Sequence, residues 1–337
     1  MFSQNIHAKN KTIAIVATGG TIVGAGESSV DSKYSSSKIG IKQLIKTIPN
    51  LDKLANVEAE QLMQIGSQDL TNLALLEISK RVNELLAKSS IDGVVITHGT
   101  DTLEETAYFL NLTLKSKKPI VLVGAMRPST SLSADGSLNI YNAVALAASE
   151  SAYNKGVLVL MNDEIFSARD VTKTNTTNVA SFKSSSSGAI GYVNYGKTEI
   201  YYSPLRAHTT KTIFNVKKLN DLPKVEIFYT YINQDPRVID HFILNGAKAL
   251  IVAGVGDGNA NKETLKKLAD AAKKGVIIVR SSRVGSGAVI ANSEINDDEL
   301  GFITADNLNP QKARIITMLA LTKTSNIKEI REMFLKY

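Results

Sequence analysis

Val94, Val95 and Ile96 stand side by side in the stretch GVVITHGTDTLEE, residues 93–105. An unbroken β-branched run of this kind is the pattern of a strand buried on both faces of a parallel sheet. The period then changes. Leu103, Ala107, Leu110 and Leu114 recur at helical intervals, and Thr102 with Glu105 has the spacing of a capping box. Thr97, His98, Gly99, Thr100 and Asp101 fall between strand and helix. Open α/β sheets place ligands at such turns, where backbone N–H groups are unpaired. A hydroxyl beside a carboxylate here is a candidate site, and it is equally the make-up of an ordinary helix cap.

The same strand-then-helix alternation runs through much of the chain. Strands are predicted over Thr12–Ala17, Val57–Ile65, Pro119–Val123 and Gly156–Met161. Helices are predicted over Ile39–Ile48, over the segment carrying Leu75, Ile78, Val82, Leu85 and Leu86, and over Leu138–Ala148. From about Ile165 to Leu222 the pattern breaks into Ser-, Thr- and Asn-rich chain with short extended pieces, read as hairpins and a connector. Alternation resumes at Val225–Tyr229, Ala249–Ala253 and Val276–Val279, and helices cover Lys312–Thr322 and Ile327 to the end. The expected fold is α/β: a larger N-terminal parallel-sheet domain with flavodoxin-like character, over 1–200, and a smaller C-terminal α/β domain over 223–337, joined by a connector at 201–222.

Composition narrows the function classes. With no cysteine among 337 residues, a thiol nucleophile, a disulfide and a zinc–thiolate site are excluded. The 39 basic residues against 32 acidic ones leave a net charge of +7. The lysines are scattered in doublets without interleaved aromatics, which reads as a solvated surface rather than a nucleic-acid site. No apolar run reaches the roughly 18–20 residues of a membrane span. Residues 1–11 lack the apolar core and cleavage site of a signal peptide. Gly19 and Gly24 have P-loop spacing, but the lysine that would reach a phosphate is missing. Gly254, Gly256 and Gly258 do not space as a dinucleotide fingerprint, and the four histidines show no metal-ligand spacing. A catalytic metal is not expected, and the dinucleotide signal is weak.

One device repeats. Thr21, Ser67, Thr100 and Ala125 each follow a glycine, directly or within one residue, just after a predicted strand. Parallel strands bring such turns to one sheet edge, together with Asp69 and Asp101. A polar cleft of hydroxyls, carboxylates and backbone donors suits acyl transfer. No histidine pairs obviously with a hydroxyl, so a basic partner would be a lysine. Lys173, in Asp170-Val171-Thr172-Lys173-Thr174, is a candidate; on spacing alone it is also a solvated loop residue.

Ala17-Thr18-Gly19-Gly20-Thr21-Ile22 and Ile96-Thr97-His98-Gly99-Thr100-Asp101-Thr102 together resemble the two signatures of the bacterial L-asparaginases, in the type II branch. The likeness extends through Gly66-Ser67-Gln68-Asp69, Gly124-Ala125-Met126-Arg127-Pro128, Asp170–Thr174 and Leu308–Arg314, and runs from about residue 11 to Tyr337. The resemblance implies hydrolysis of L-asparagine to L-aspartate and ammonia, lesser action on L-glutamine, a covalent acyl-enzyme and no cofactor.

By the same resemblance Thr21 is the nucleophile, and Tyr34, in the loop after it, helps activate it. Thr100, Asp101 and Lys173 form a second catalytic cluster, with the division of labour between the two threonines left open. Ser67, Gln68 and Asp101 hold the substrate's α-carboxylate and α-ammonium, and the backbone at Thr100 and Ala125 faces the amide. Glu294, which alone reads as a surface loop residue, completes the ammonium site from a neighbouring subunit, implying a homotetramer built from intimate dimers. Asp257 stands where many relatives carry Asn, so its effect on the Asn/Gln preference stays open. A mature or trimmed chain of this branch is expected in the periplasm; a chain complete as written, without a signal peptide, is expected in the cytoplasm.

Overall fold

The computed structural model describes residues 11–26, 29–30, 34–35 and 40–337. They fall into two compact units, Met1–Lys211 with Asn215–Lys218 and Thr212–Phe214 with Leu219–Tyr337.

Among its described residues the first unit holds twelve strands: β1 (Thr12–Ala17), β2 (Ala25–Gly26), β3 (Tyr34–Ser35), β4 (Asn56–Gln61), β5 (Gly93–Thr97), β6 (Ile120–Val123), β7 (Val157–Met161), β8 (Glu164–Ser167), β9 (Val171–Lys173), β10 (Phe182–Ser184), β11 (Gly191–Asn194) and β12 (Lys197–Ile200). Eight of them form one sheet in the order β12-β11-β8-β7-β6-β5-β1-β4. From β4 to β7 all neighbours are parallel. In chain order these five strands lie second-first-third-fourth-fifth, which is the flavodoxin arrangement, with its switch point between β1 and β5.

The β-branched run on β5 sits where its composition demands. β5 pairs with β1 on one side and β6 on the other, and every residue of it is buried. Val95 shares a core with Ile13, Ile15 and Val121, under the helices α1 (Ile41–Lys46) and α4 (Gly136–Ala148). The alternation of side chains puts Val94 and Ile96 on the other face, where α2 (Asn72–Ala87) and α3 (Leu103–Thr113) pack on β5 and β7. Each such side chain withdrawn from water contributes about 1.5–3 kcal/mol. On α2, Leu75, Ile78, Val82, Leu85 and Leu86 are all buried, and the Thr71 hydroxyl accepts the Ala74 N–H to start the helix.

The short extended pieces expected in the Ser/Thr/Asn-rich stretch from about Ile165 are strands: β8, β11 and β12 extend the large sheet in antiparallel fashion, while β9 and β10 pair separately. The capping box expected at Thr102 does not form. α3 begins with no side-chain cap from Thr102, whose hydroxyl donates instead to the Ser67 carbonyl at 2.8 Å.

The second unit has a four-stranded, wholly parallel sheet of β13 (Val225–Tyr229), β14 (Ala249–Gly254), β15 (Ile277–Ser282) and β16 (Phe302–Thr304), in that order. The helices α5 (Val238–Leu244) and α6 (Lys262–Lys273) bury Ile239 and Leu268 against Leu250, Val252 and Ile278. After the short α7 (Asp297–Leu300), α8 (Pro310–Leu321) packs on β13, β14 and β15, and α9 (Ile327–Lys336) packs on β16 and α8. Among the described residues no helix is long and apolar enough to cross a membrane.

Candidate functional site

The turns after β1 and β5 meet at the switch point of the first sheet. The Thr18 hydroxyl and N–H both donate to the Thr97 carbonyl, at 3.0 and 3.1 Å, and so tie the two strand ends together. The chain then turns through Gly20 at φ 87°. A Cβ there would lie 2.4 Å from the Gly99 Cα and 2.5 Å from the Gly99 nitrogen. Only glycine satisfies both the positive φ and the backbone-to-backbone approach. This contact brings Thr21, the first residue of a 3-10 turn, to the same wall as Thr100 and Asp101.

A polar cleft of about 740 Å³ opens at this edge, and Thr21, Ser67, Gln68, Thr100, Asp101 and Lys173 all line it. Lys173, at the end of β9, donates from Nζ to Thr100 Oγ1 at 2.9 Å and to Asp101 Oδ1 at 2.7 Å. As an ammonium Lys173 has protons and no acceptor, so Thr100 Oγ1 accepts and its own proton is left to point elsewhere. The pair is unevenly covered: the Lys173 side chain is 17% exposed and that of Asp101 60%. Ser67 ties the third turn in. Its hydroxyl accepts the Asp101 N–H at 3.2 Å, and its carbonyl takes the Thr102 hydroxyl.

His98 lies behind this wall, fully buried. Its Nδ1 is 2.7 Å from the Gly99 carbonyl, which can only accept, so Nδ1 carries the proton. Nε2 then accepts the Thr106 hydroxyl at 2.9 Å. Burial pushes its pKa down to about 4, against a smaller upward pull from the Gly99 bond. The histidine is therefore a neutral strut between the turn and α3.

Ala125 is fully buried and is not among the residues lining the cleft; Met126, Arg127 and Pro128, which follow it, are. Asp135 shapes that turn, its carboxylate accepting the N–H groups of Met126 and Arg127 at 2.9 Å each. Asn139 donates to the Gly124 carbonyl at 3.0 Å. Tyr34 lies on β3, paired with β2, and its side chain falls outside the described residues. Asp69 accepts from the Gln68 amide at 3.2 Å and does not line the cleft.

Asp257 and Glu294 belong to the second unit, on two loops clamped by one buried arginine. Arg280, on β15, makes a two-pronged bond to Asp297 at 2.6 and 2.7 Å. It also donates to the Asp257 carbonyl at 2.8 Å and the Ile290 carbonyl at 3.2 Å. The Asp257 carboxylate accepts the Ile290 N–H at 2.8 Å and the Ser293 hydroxyl at 2.6 Å. Burial alone would raise its pKa; those two bonds and the Arg280 charge outweigh it and bring the pKa below the usual value. Glu294 accepts from the Asn259 amide.

Asp135, Asn139 and Glu104 escape a reading of the sequence. Glu104 accepts the Lys173 N–H at 3.1 Å from 69 residues away, and its place in the first turn of α3 reads in sequence as an ordinary helix-start acid.

The geometry has counterparts. Residues 12–206 match the family described as Asparaginase, N-terminal, and residues 224–334 the Glutaminase/Asparaginase C-terminal domain. The chain is 50% identical to L-asparaginase 2 of Escherichia coli (strain K12), over 96% of this chain and 93% of that protein. It is 48% identical to the glutaminase-asparaginase of Pseudomonas fluorescens biotype A, over 99% and 93%. The crystal structure of a probable cytoplasmic L-asparaginase from Campylobacter jejuni superposes with a TM-score of 0.94, at 49% identity, covering 97% of this chain and all of that one. With both halves matched in order and half of the residues identical, the chain belongs to the asparaginase family of amidohydrolases.

Proposed function

We propose that this chain hydrolyses L-asparagine to L-aspartate and ammonia through an acyl-enzyme on Thr21, with lesser action on L-glutamine. The observation that carries the reading is the Lys173–Thr100–Asp101 cluster in the same cleft as Thr21. Thr21 Oγ1 attacks the side-chain amide carbon, with Tyr34 assisting its deprotonation, and ammonia leaves with a proton. Water, held by the Thr100 hydroxyl that Lys173 orients, then attacks the ester and releases aspartate.

A free amino acid brings both charges into one small site. The half-exposed Asp101 carboxylate suits its ammonium, and the N–H groups and hydroxyl around Ser67 and Gln68 suit its carboxylate. Ser67, Gln68 and the backbone near Thr100 are taken to make up the rest of the pocket, with Met126, next to the buried Ala125, on its lining. Glu294 is taken to reach the ammonium from a second copy of the chain, in a homotetramer built from intimate dimers, with Asp257 beside it.

L-asparaginase 2 and glutaminase-asparaginase are the names of relatives of nearly equal identity. One methylene separates their substrates, worth about 1–3 kcal/mol in a pocket, so both amides are turned over. Steady-state ammonia release from L-asparagine and L-glutamine tests the reading. Thr21→Ala should lower kcat by about 10³-fold or more while far-UV circular dichroism and the elution volume stay unchanged. Parental turnover in that variant would remove Thr21 from the chemistry.

A further inference from the structure

Lys173 is long and flexible, and holding it in one geometry costs about 2 kcal/mol of rotamer freedom. Two contacts fix its ammonium, both from the turn at Thr100 and Asp101. A third contact fixes its other end. Glu104, in the first turn of α3 and 5% exposed, accepts the Lys173 backbone N–H at 3.1 Å. Residues 100–104 thus grip both ends of one lysine, although the lysine arrives on β9, a strand that among the described residues pairs only with β10.

We propose that Glu104 is the positioning residue for Lys173. Its carboxylate oxygen sets where β9 ends relative to the turn after β5, and therefore where Lys173 Nζ meets Thr100. What Glu104 supplies to the Lys173 N–H is an acceptor oxygen at the right reach. The proposal deepens the reading of Lys173 as part of the catalytic cluster, and it rests on that reading. A negative group buried in a helix start gains from the partial positive charge there, but that gain by itself makes no link to β9. The N–H bond to β9 is what couples the helix start to the lysine.

Two conservative variants separate reach from charge. Glu104→Gln keeps an acceptor oxygen at the same distance and discards the charge. Glu104→Asp keeps the charge and withdraws the oxygen by one C–C bond, about 1.5 Å. The expected result on L-asparagine is that Glu104→Gln keeps kcat within about threefold of the parent. Glu104→Asp should lose about 10- to 100-fold in kcat, the scale of a misplacement of about 1 Å, with KM changed much less. In a Lys173→Met background Glu104→Asp should cost nothing further in kcat.

A merely structural Glu104 would lower the thermal midpoint in both variants and leave kcat in place. Parental kcat in Glu104→Asp overturns the proposal. So does the reverse ranking, with Asp active and Gln inactive, and so does an undiminished loss in the Lys173→Met background. Parental turnover in Lys173→Met alone marks a different failure, that of the assignment of Lys173 itself, and it is seen without reference to Glu104.

Discussion

Lys173 with Asp101 and Arg280 with Asp297 are built to one plan: a cation near the end of a strand and an acid at or just before a helix start. Their surroundings differ. The side chains of Arg280 and Asp297 are 0% and 2% exposed, and the guanidinium grips both carboxylate oxygens while also holding the carbonyls of Asp257 and Ile290. Those of Lys173 and Asp101 are 17% and 60% exposed, share a single short contact and face a cleft. A buried pair with its hydrogen bonds satisfied has no spare valence for a substrate, and its work is to hold two loops together. A pair left half in water is weakly bound, so a ligand's ammonium can compete for its carboxylate.

The largest test of this contrast is Asp297→Asn. It leaves the Arg280 guanidinium buried beside a neutral amide, and breaking a buried pair in this way costs about 3–5 kcal/mol. Denaturant unfolding should show a loss near the lower end of that range. The loops that carry Asp257 and Glu294 should become more open to proteolysis, because Asp297 also accepts the Asn292 N–H at 2.9 Å. A loss below about 1 kcal/mol would put this pair in the same class as the exposed one.

His98 offers an intermediate case, a buried titratable group between the cleft wall and α3 that carries no charge. Its pKa of about 4 lies below its ordinary 6.5, so between those values the unfolded chain takes up the proton more readily. The stability it contributes is complete above pH 6.5 and is lost as pH falls towards 4, on the order of 3 kcal/mol in all. His98→Gln cannot titrate. The stability gap between parent and variant should therefore shift against the parent between pH 6.5 and 4, and a gap independent of pH would show that His98 does not report on acid unfolding.

The strand of residues 93–97 was legible because three β-branched residues leave few ways to bury themselves, and its parallel neighbours followed from the same pattern. Thr102 was misread for an equally physical reason. Its spacing to Glu105 is local, whereas the carbonyl that takes its hydroxyl belongs to Ser67, 35 residues away. Glu104 and Asp135 were silent for that reason too, since each meets backbone N–H groups brought near by the fold rather than by a motif. The short extended pieces that form β11 and β12 were legible, but their place at the edge of the large sheet was not, because pairing partners are set by the fold rather than by local pattern. Thr21, Thr100, Asp101 and Lys173 were visible mainly through resemblance to the asparaginases. The residues alone offered hydroxyls after glycines, and the close approach to Gly99 explains why one of those glycines, Gly20, is there.

The smallest effect on stability should come from Lys173→Met, and it is the sharpest test of the contrast. Met keeps most of the aliphatic stem and removes the ammonium, and a pair as exposed as Lys173–Asp101 contributes only about 0–1 kcal/mol. The unfolding midpoint should therefore barely move. Turnover should move a great deal, because Thr100 Oγ1 loses the donor that orients its hydroxyl; general acid–base assistance is worth about 10²–10⁴-fold, and kcat on L-asparagine should fall by about 10²-fold or more. Opposite signatures in Asp297→Asn and Lys173→Met, stability in one and rate in the other, would separate two pairs of like chemistry by their burial alone. A stability loss in Lys173→Met approaching that of Asp297→Asn would mean that the exposed pair also holds the fold, and the contrast would fail at its cheaper end.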